Sequence, residues 1–322
     1  MSRRDAFSVV IAAHNEGDWL QKTVDAVLLA SDVPHLEVVV VADGCTDGST
    51  AFLEDAAHPG VRLVTLPESL GAPQARNAGA AVASGEYLVF VDSHVKPDQP
   101  GWLSELADQL SVPGVGAATL NVSSLGKSQR NCFVYTVKTP FLGPAWVDPV
   151  GDGEWMSVPV IPGTCFAVTR EVFSATGGFD EGLRKWGRED FEYSLRLWRL
   201  GYDLSMSRRH SIAHKFKFNV LGQADRSFVV EWSQLVYNTL RTVVTLFPDD
   251  WVRVAVEYVQ PKLPSEVTAA LDDLSSDAGF QRRKRVLEQA FVRSFDDYVA
   301  HFGRLLPLGR FAPGTADRRH ES

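Results

Sequence analysis

The sequence predicts an α/β fold: a Rossmann-like, mostly parallel sheet flanked by helices, followed by a C-terminal helical appendage. Three observations predict it. Across roughly the first hundred residues, short apolar runs alternate with helical periodicity, the pattern of repeated β-α-β units. The first two runs, FSVVIA and LEVVVV, are nearly all apolar, as strands buried on both faces should be. After about residue 220 the strand pattern stops and helical periodicity takes over.

Taken in order, Phe7 to Ala12 (FSVVIA) predicts the first strand. Trp19, Leu20, Val24, Val27 and Leu28 then share one face of a helix. Leu36 to Val41 predicts a second strand, and Asp47-Gly48-Ser49 caps a helix starting near Thr50. Val61 to Leu66 is the third strand, Gly71 to Ala83 an Ala-rich helix, and Tyr87 to Val91 the fourth strand, ending at Asp92. From about Pro97 to Val160 the pattern loosens, and Gly143 to Trp155 reads as a long loop of the kind that shapes a site. Strand character returns over Val160 to Val168. Glu189 to Leu200 is a helix with Phe191, Leu195 and Trp198 on one stripe. Arg226 to Phe247, Trp251 to Tyr258 and Arg282 to Phe302 all read as helices. In the first of these, Trp232, Leu235, Tyr237, Leu240 and Val243 read as a face packed on the core. The expected division is an α/β unit over 1–219, a helical appendage over 220–311 and a disordered tail over 312–322.

Composition narrows the classes. The chain has 322 residues, 45% hydrophobic and 22% charged, enough for one large core with an appendage. A net charge of −8 gives no long-range attraction for nucleic acid. The run Arg282-Arg283-Lys284-Arg285 reads as a solvated helix face. Cys45, Cys132 and Cys165 are widely spaced, odd in number and without CxxC spacing, so neither a zinc cluster nor a disulfide framework is indicated and a reducing compartment fits. The segment Met1-Ser2-Arg3-Arg4-Asp5 runs directly into a strand, with no signal-peptide core. No apolar run approaches the ~20 residues of a membrane span. A cytoplasmic protein is expected.

Ligands of such sheets sit beyond the carboxyl ends of the strands, so the polar residues there carry the functional reading. They are His14-Asn15-Glu16, then Asp43-Gly44-Cys45-Thr46-Asp47-Gly48-Ser49, then Gly71 to Asn77 with Arg76, and Asp92-Ser93-His94. Each alone could be a turn, a cap or a surface charge. Together they converge on one sheet edge. A carboxylate there can accept the imide N–H of uracil, and a helix N-terminus with an arginine suits phosphates. In an extended segment residues two apart point the same way, so Asp92 and His94 can face one ion. Carboxylate oxygen with imidazole nitrogen suits Mn²⁺ or another borderline divalent metal better than Ca²⁺; the expected cofactor is Mn²⁺, with Mg²⁺ as the alternative.

These segments carry a resemblance. FSVVIAAHNEGDWLQKTVDAVL, VVVVADGCTDGS and LGAPQARNAGAAVASGEYLVFVDSH together resemble family 2 glycosyltransferases and their GT-A relatives. WMSVPVIPGTCFAVTREVFSATGGFDEGLRKWGREDFEYSLRLWRLGY, followed by HSIAHKFKF, is similar to polypeptide N-acetylgalactosaminyltransferases. Those enzymes have an Asp-Ser-His metal motif, a WGGEN-like stretch and a late histidine. The resemblance covers roughly residues 6 to 218. It implies a GT-A domain with a nucleotide-binding half over about 1–95 and an acceptor half over 96–219. It implies that Ala13 and Glu16 touch base and ribose, Asp43 reads the base, Arg76 lies near base and phosphate, and Ser93 lies at the donor. It implies Asp92, His94 and His214 as metal ligands, and Trp186, Gly163, Thr164, Glu189 and Asp190 around sugar and acceptor. The stretch here is WGREDFE, not WGGENLE. Glu189-Asp190 is similar to the Glu-Asp pair of inverting family 2 enzymes, where the aspartate is the general base.

The implied reaction moves a sugar from a nucleotide-sugar, such as UDP-GalNAc, UDP-GlcNAc or UDP-Glc, to a hydroxyl of a peptide, glycan or small molecule. Asp190 takes the hydroxyl proton in an inverting displacement. A retaining enzyme like the mucin-type relatives stays open, as does a catalytically silent sugar-nucleotide-binding scaffold. A nucleotidyltransferase ranks low, because no Gly-rich, lysine-containing loop follows the first strand. For the C-terminal helices, an acceptor lid, a homodimer contact and a membrane-surface element are the roles left open.

Overall fold

A computed structural model describes residues 6–55, 58–126, 134–138, 142–216 and 231–306. The chain opens with β1 (Ala6–Ala13), α1 (Asp18–Leu29), β2 (His35–Asp43), α2 (Ala51–Asp55), β3 (Val61–Leu66), α3 (Ala72–Val82) and β4 (Tyr87–Asp92). It continues through β5 (Val95–Pro97), α4 (Trp102–Leu110), β6 (Val115–Ser124), β7 (Val134–Lys138), β8 (Gly143–Val147), β9 (Trp155–Ser157) and β10 (Cys165–Thr169). Then come α5 (Arg170–Ala175), α6 (Glu189–Arg199), β11 (Asp203–His214), α7 (Trp232–Leu246), α8 (Asp249–Val259), α9 (Pro264–Ser276), α10 (Ala278–Ala290) and α11 (Phe295–Phe302).

Among the described residues a nine-stranded sheet runs β3-β2-β1-β4-β10-β6-β11-β5, with β9 beside β11. The pairs β1–β2, β1–β4, β2–β3 and β6–β11 are parallel. Antiparallel pairing of β10, β5 and β9 mixes the sheet in its second half. Because side chains alternate along a strand, β1 feeds two cores. Val9 and Ile11 join α1 and α4 on one face through Leu20, Val24, Trp102 and Leu106. Val10 faces the other layer with Phe90, Phe166 and Phe191.

Several expected elements change. Strand character over 160–168 begins only at Cys165, since Pro162 has no N–H to give a ladder. The expected loop over 143–155 contains β8, which pairs with β7 as a hairpin. The single helix expected over 282–302 is two, because Val292 and Arg293 donate to Arg199 O and Ser294 starts α11 with a capping box. Helix α9 had no strong apolar stripe to reveal it. Asp47 does not cap α2. It bonds the Ser49 and Gly17 amides, tying the loop after β2 to the loop after β1. Residues 226–230 of the expected helix, Cys132 and the tail over 312–322 lie outside the described residues.

Helix α6 is more buried than a one-sided stripe predicts: from Phe191 to Trp198 every residue is buried. The C-terminal helices cover its outer side, and Val243, Leu246, Trp251, Phe295 and Tyr298 share one apolar core with the sheet. Arg241 of α7 adds a buried pair to Asp180 at 2.8 and 2.9 Å. The run at 282–285 is only partly a solvated face, since Arg283 lies 3.5 Å from Asp180 and from Glu192.

Candidate active site

At the carboxyl ends of β1, β2 and β4 lies a cleft of about 640 Å³, within the range of small-ligand sites. It is lined by all the site residues named from sequence: Ala13, Glu16, Asp43, Arg76, Asp92, Ser93, His94, Gly163, Thr164, Trp186, Glu189, Asp190 and His214.

One carboxylate and two imidazoles form its floor. The ligand atoms of Asp92, His94 and His214 all lie within 4.8 Å of one another. Asp92 and His94 meet for a different reason than extended alternation: β4 ends at Asp92 and the chain turns through Ser93 and His94. The Ser93 carbonyl is held there by the Thr23 hydroxyl of α1 at 3.0 Å. His214 arrives from far downstream because β11 pairs antiparallel with β5, placing His214 opposite Val95. His94 and His214 rings lie 4.8 Å apart. Both ring nitrogens of His214 are buried without a hydrogen-bonding partner, although Nε2 lies 3.3 Å from Asp92 Oδ2. Two imidazoles and a carboxylate facing one point fit a borderline divalent cation, and orphaned buried nitrogens are costly unless something binds them. Burial works against the Asp92 charge, yet His214, Arg76 and His94 together hold its carboxyl well below the ordinary range.

Arg76 is the second centre. It is not a helix-surface charge but 4% exposed, projecting from the first turns of α3. Its Nη2 donates to Asp92 Oδ1 at 3.0 Å and to Gly163 O at 2.9 Å. Its Nη1 lies 3.8 Å from Glu189 Oε1. Nε and Nη1 are buried without a hydrogen-bonding partner, an arrangement suited to an anion.

Two other cleft carboxylates also have protein partners. Asp43 is buried, and its carboxylate already accepts from the Leu70 and Gly71 amides and the Ser69 hydroxyl at 2.6 to 2.9 Å. It shapes the loop before α3. Glu16 Oε2 lies 3.2 Å from His94 Nδ1, which leaves the opposite nitrogen of that ring for the shared point.

The third centre is the start of α6. Burial, and then the neighbouring Asp190 charge, push the Glu189 carboxyl up to about 7, against the pull of Arg76. Asp190 is also raised, by burial, while a hydrogen bond from the Tyr135 hydroxyl opposes the rise. Two adjacent carboxyls, Glu189 buried and Asp190 half-buried, titrate as a pair. Tyr135 went unseen in the sequence because it sits in the unpatterned stretch, and only the β7–β8 hairpin carries it to α6. Arg188, buried and left-handed at φ 77°, is held by the Thr239 hydroxyl of α7 at 2.9 Å. At the mouth, Trp146, Trp186 and Phe216 are 38%, 42% and 43% exposed, an aromatic rim.

The sequence profile of glycosyl transferase family 2 matches residues 8–177, more than half of the chain. The chain belongs to glycosyl transferase family 2. A profile described as the N-terminal domain of galactosyltransferase matches residues 156–219, reaching the β11 histidine. The O-antigen biosynthesis protein RfbC of Myxococcus xanthus is 32% identical over 200 residues, 59% of this chain and 16% of that protein. Human polypeptide N-acetylgalactosaminyltransferase 10 is 30% identical over 232 residues, 65% of this chain and 38% of the relative. The chain thus spans well under half the length of these two relatives. Among solved structures, GalNAc-T7 with UDP, GalNAc and Mn²⁺ aligns with a TM-score of 0.72 at 20% identity, covering 93% of this chain and 56% of that one. At that identity the likeness speaks for the fold, and it extends through the C-terminal helices. Among the described residues no helix is long and apolar enough to cross a membrane.

Proposed function

We propose that this protein is a metal-dependent glycosyltransferase that moves a sugar from a nucleotide-sugar, a UDP-sugar in the first instance, to an acceptor hydroxyl. One observation carries the reading: a carboxylate and two imidazoles converge beside a buried arginine with uncommitted nitrogens, in the same cleft as the Glu189-Asp190 carboxyl pair. That is a cation site, an anion site and a proton acceptor in one cleft.

Asp92, His94 and His214 would hold Mn²⁺ or Mg²⁺, which supplies charge neutralisation for a departing diphosphate. Arg76 binds the same diphosphate through Nε and Nη1 and ties that end to Glu189. Asp43 and Ala13 set the walls of the base pocket. Asp190 takes the proton of the acceptor hydroxyl as its oxygen attacks the anomeric carbon and the bond to diphosphate breaks, which inverts the centre. Burial raises its pKa, which strengthens it as a proton acceptor. Tyr135 orients it, Gly163 and Thr164 border the sugar, and Trp186 offers an apolar face to the acceptor.

A retaining reaction has its own supporting observation. Asp190 already takes hydrogen bonds from Tyr135, the Phe191 amide and Gly163, as a group that orients substrate does. Hydrolysis of UDP- and GDP-sugars with Mn²⁺ identifies the donor, acceptors are then screened, and NMR of the product's anomeric proton separates the two outcomes. Asp190→Asn abolishes transfer and leaves donor affinity intact if Asp190 is the base. Retained turnover overturns that assignment, and no turnover of any sugar nucleotide by the unaltered protein overturns the enzyme reading in favour of a silent binder.

A further inference from the structure

The segment 184–188, which leads into Glu189 and Asp190, is a strap strung between two parts of the fold. On one side Lys185 pairs with Gly71 as an isolated bridge. The Lys185 carbonyl accepts from the Ala72 amide at 2.8 Å, and its ammonium group reaches Ser69 O. This joins the strap to the loop that Asp43 shapes. On the other side stands α7. Its Asn238 is fully buried. Asn238 Oδ1 accepts from the Arg184 amide at 2.7 Å. Asn238 Nδ2 lies within donating distance of three carbonyls, Arg184 O at 2.8 Å, Gly187 O at 2.9 Å and Trp186 O at 3.2 Å. One residue on, the Thr239 hydroxyl accepts from Arg188 Nε.

The strap needs such a hold. Lys185, Gly187 and Arg188 have φ of 51°, 99° and 77°, a left-handed region that non-glycine side chains disfavour. Such backbone persists only where its surroundings over-determine it. A side chain at Asn238 must accept one amide and donate to carbonyls from the same three atoms, and asparagine alone offers both at that length. The held geometry matters to the site, because the Gly187 amide donates to Glu189 Oε2 at 2.7 Å and Trp186 and Arg188 line the cleft.

We propose that Asn238 is a positioning residue of the active site: its amide sets the 184–188 strap, and through it Trp186, Arg188 and the Gly187 N–H that holds Glu189. Helix α7 is then part of the catalytic apparatus and not a separable appendage. The kinetic part of this inference rests on the glycosyltransferase reading. The strap part does not.

The test compares Asn238→Ala with Val243→Ala, a core truncation on the same helix that leaves the strap untouched. Two readouts are taken on the full chain. With the donor found by hydrolysis screening, Asn238→Ala is expected to lower kcat by about 10- to 100-fold, with KM for the donor changed less than the kcat. Independently, brief trypsin treatment followed by mass spectrometry is expected to cut Asn238→Ala after Arg184 or Lys185, and to spare both the unaltered protein and Val243→Ala. Native kcat and strap resistance in Asn238→Ala overturn the proposal. So does the same pattern in Val243→Ala at equal Tm. If Asn238→Ala does not fold, Thr239→Val carries the test: a smaller fall in kcat with cleavage at the strap supports the proposal, and unchanged behaviour overturns it. If the unaltered protein turns over no sugar nucleotide, the functional reading fails, while the tryptic pattern still decides what holds the strap.

Discussion

Replacing Glu189 by glutamine should make the protein more stable above neutrality and no more stable in acid. Glu189 is 5% exposed, and its carboxyl is raised from 4.5 to about 7. A tenfold change in proton affinity is worth about 1.4 kcal/mol, so the buried charge costs about 3 kcal/mol when fully formed. The sign follows from the proton count. Below the ordinary value the group is protonated in both folded and unfolded chains, and the cost is absent. As pH rises from there towards 7 the unfolded chain loses the proton while the folded one keeps it, so stability falls. Above 7 the whole cost is present. Glutamine removes the charge yet keeps an acceptor for the Gly187 amide. The weak contact with Arg76, at 3.8 Å, offsets only part of that cost. Thermal melts with chelator present should show Glu189→Gln and the parent together near the acid end, diverging to roughly 5–10 °C around pH 8. A difference that stays flat with pH, or reverses, refutes the reasoning. The same variant reports on the base. With its neighbour neutral, Asp190 ionises more readily, so the acid limb of kcat/KM should move down. Loss of activity at every pH would instead make Glu189 the proton acceptor.

Other expectations follow from single contacts. Tyr135→Phe removes a hydrogen bond to the ionised form of Asp190, so the acid limb of kcat/KM should move up by as much as about one on the pH scale; an unmoved limb would place the tyrosine outside the proton path. His214→Ala should weaken Mn²⁺ binding at least roughly tenfold, read as free Mn²⁺ by electron paramagnetic resonance, and an unchanged titration would argue against it as a ligand. Gly71→Ala combines a φ of 100° with a Cβ driven into the Lys185 backbone, so denaturant unfolding should show a loss of more than about 3 kcal/mol.

Much of the donor side was legible in the sequence. The strands FSVVIA, LEVVVV and YLVFV lie inside the sheet and are largely buried on both faces, so their hydrophobicity is nearly continuous and their ends are easy to find, whereas VRLVTL is the half-exposed edge strand. The polar residues at those ends, among them Asp92, His94 and Arg76, line one cleft because parallel β-α-β chains return every carboxyl end to the same edge. The C-terminal half was less legible. Its strands pair antiparallel or run short, and α9 and α10 carry much polar surface, so local periodicity weakens. The roles inside the cleft depended on it still less. Asp43 and Glu16 were placed at base and ribose by the resemblance, and packing also gives their carboxylates protein neighbours in the 69–71 loop and at His94.

By itself, then, the sequence determined the α/β class, the sheet edge that carries the site and the residue types found there, because periodicity and strand-end chemistry are local properties of the chain. Tertiary structure decided how distant groups join them. It put His214 beside Asp92 through the β11–β5 pairing, Tyr135 against Asp190 through the β7–β8 hairpin, and Asn238 under the 184–188 strap through the burial of α7. Those contacts arise from packing one element against another, and no pattern along either element records its partner.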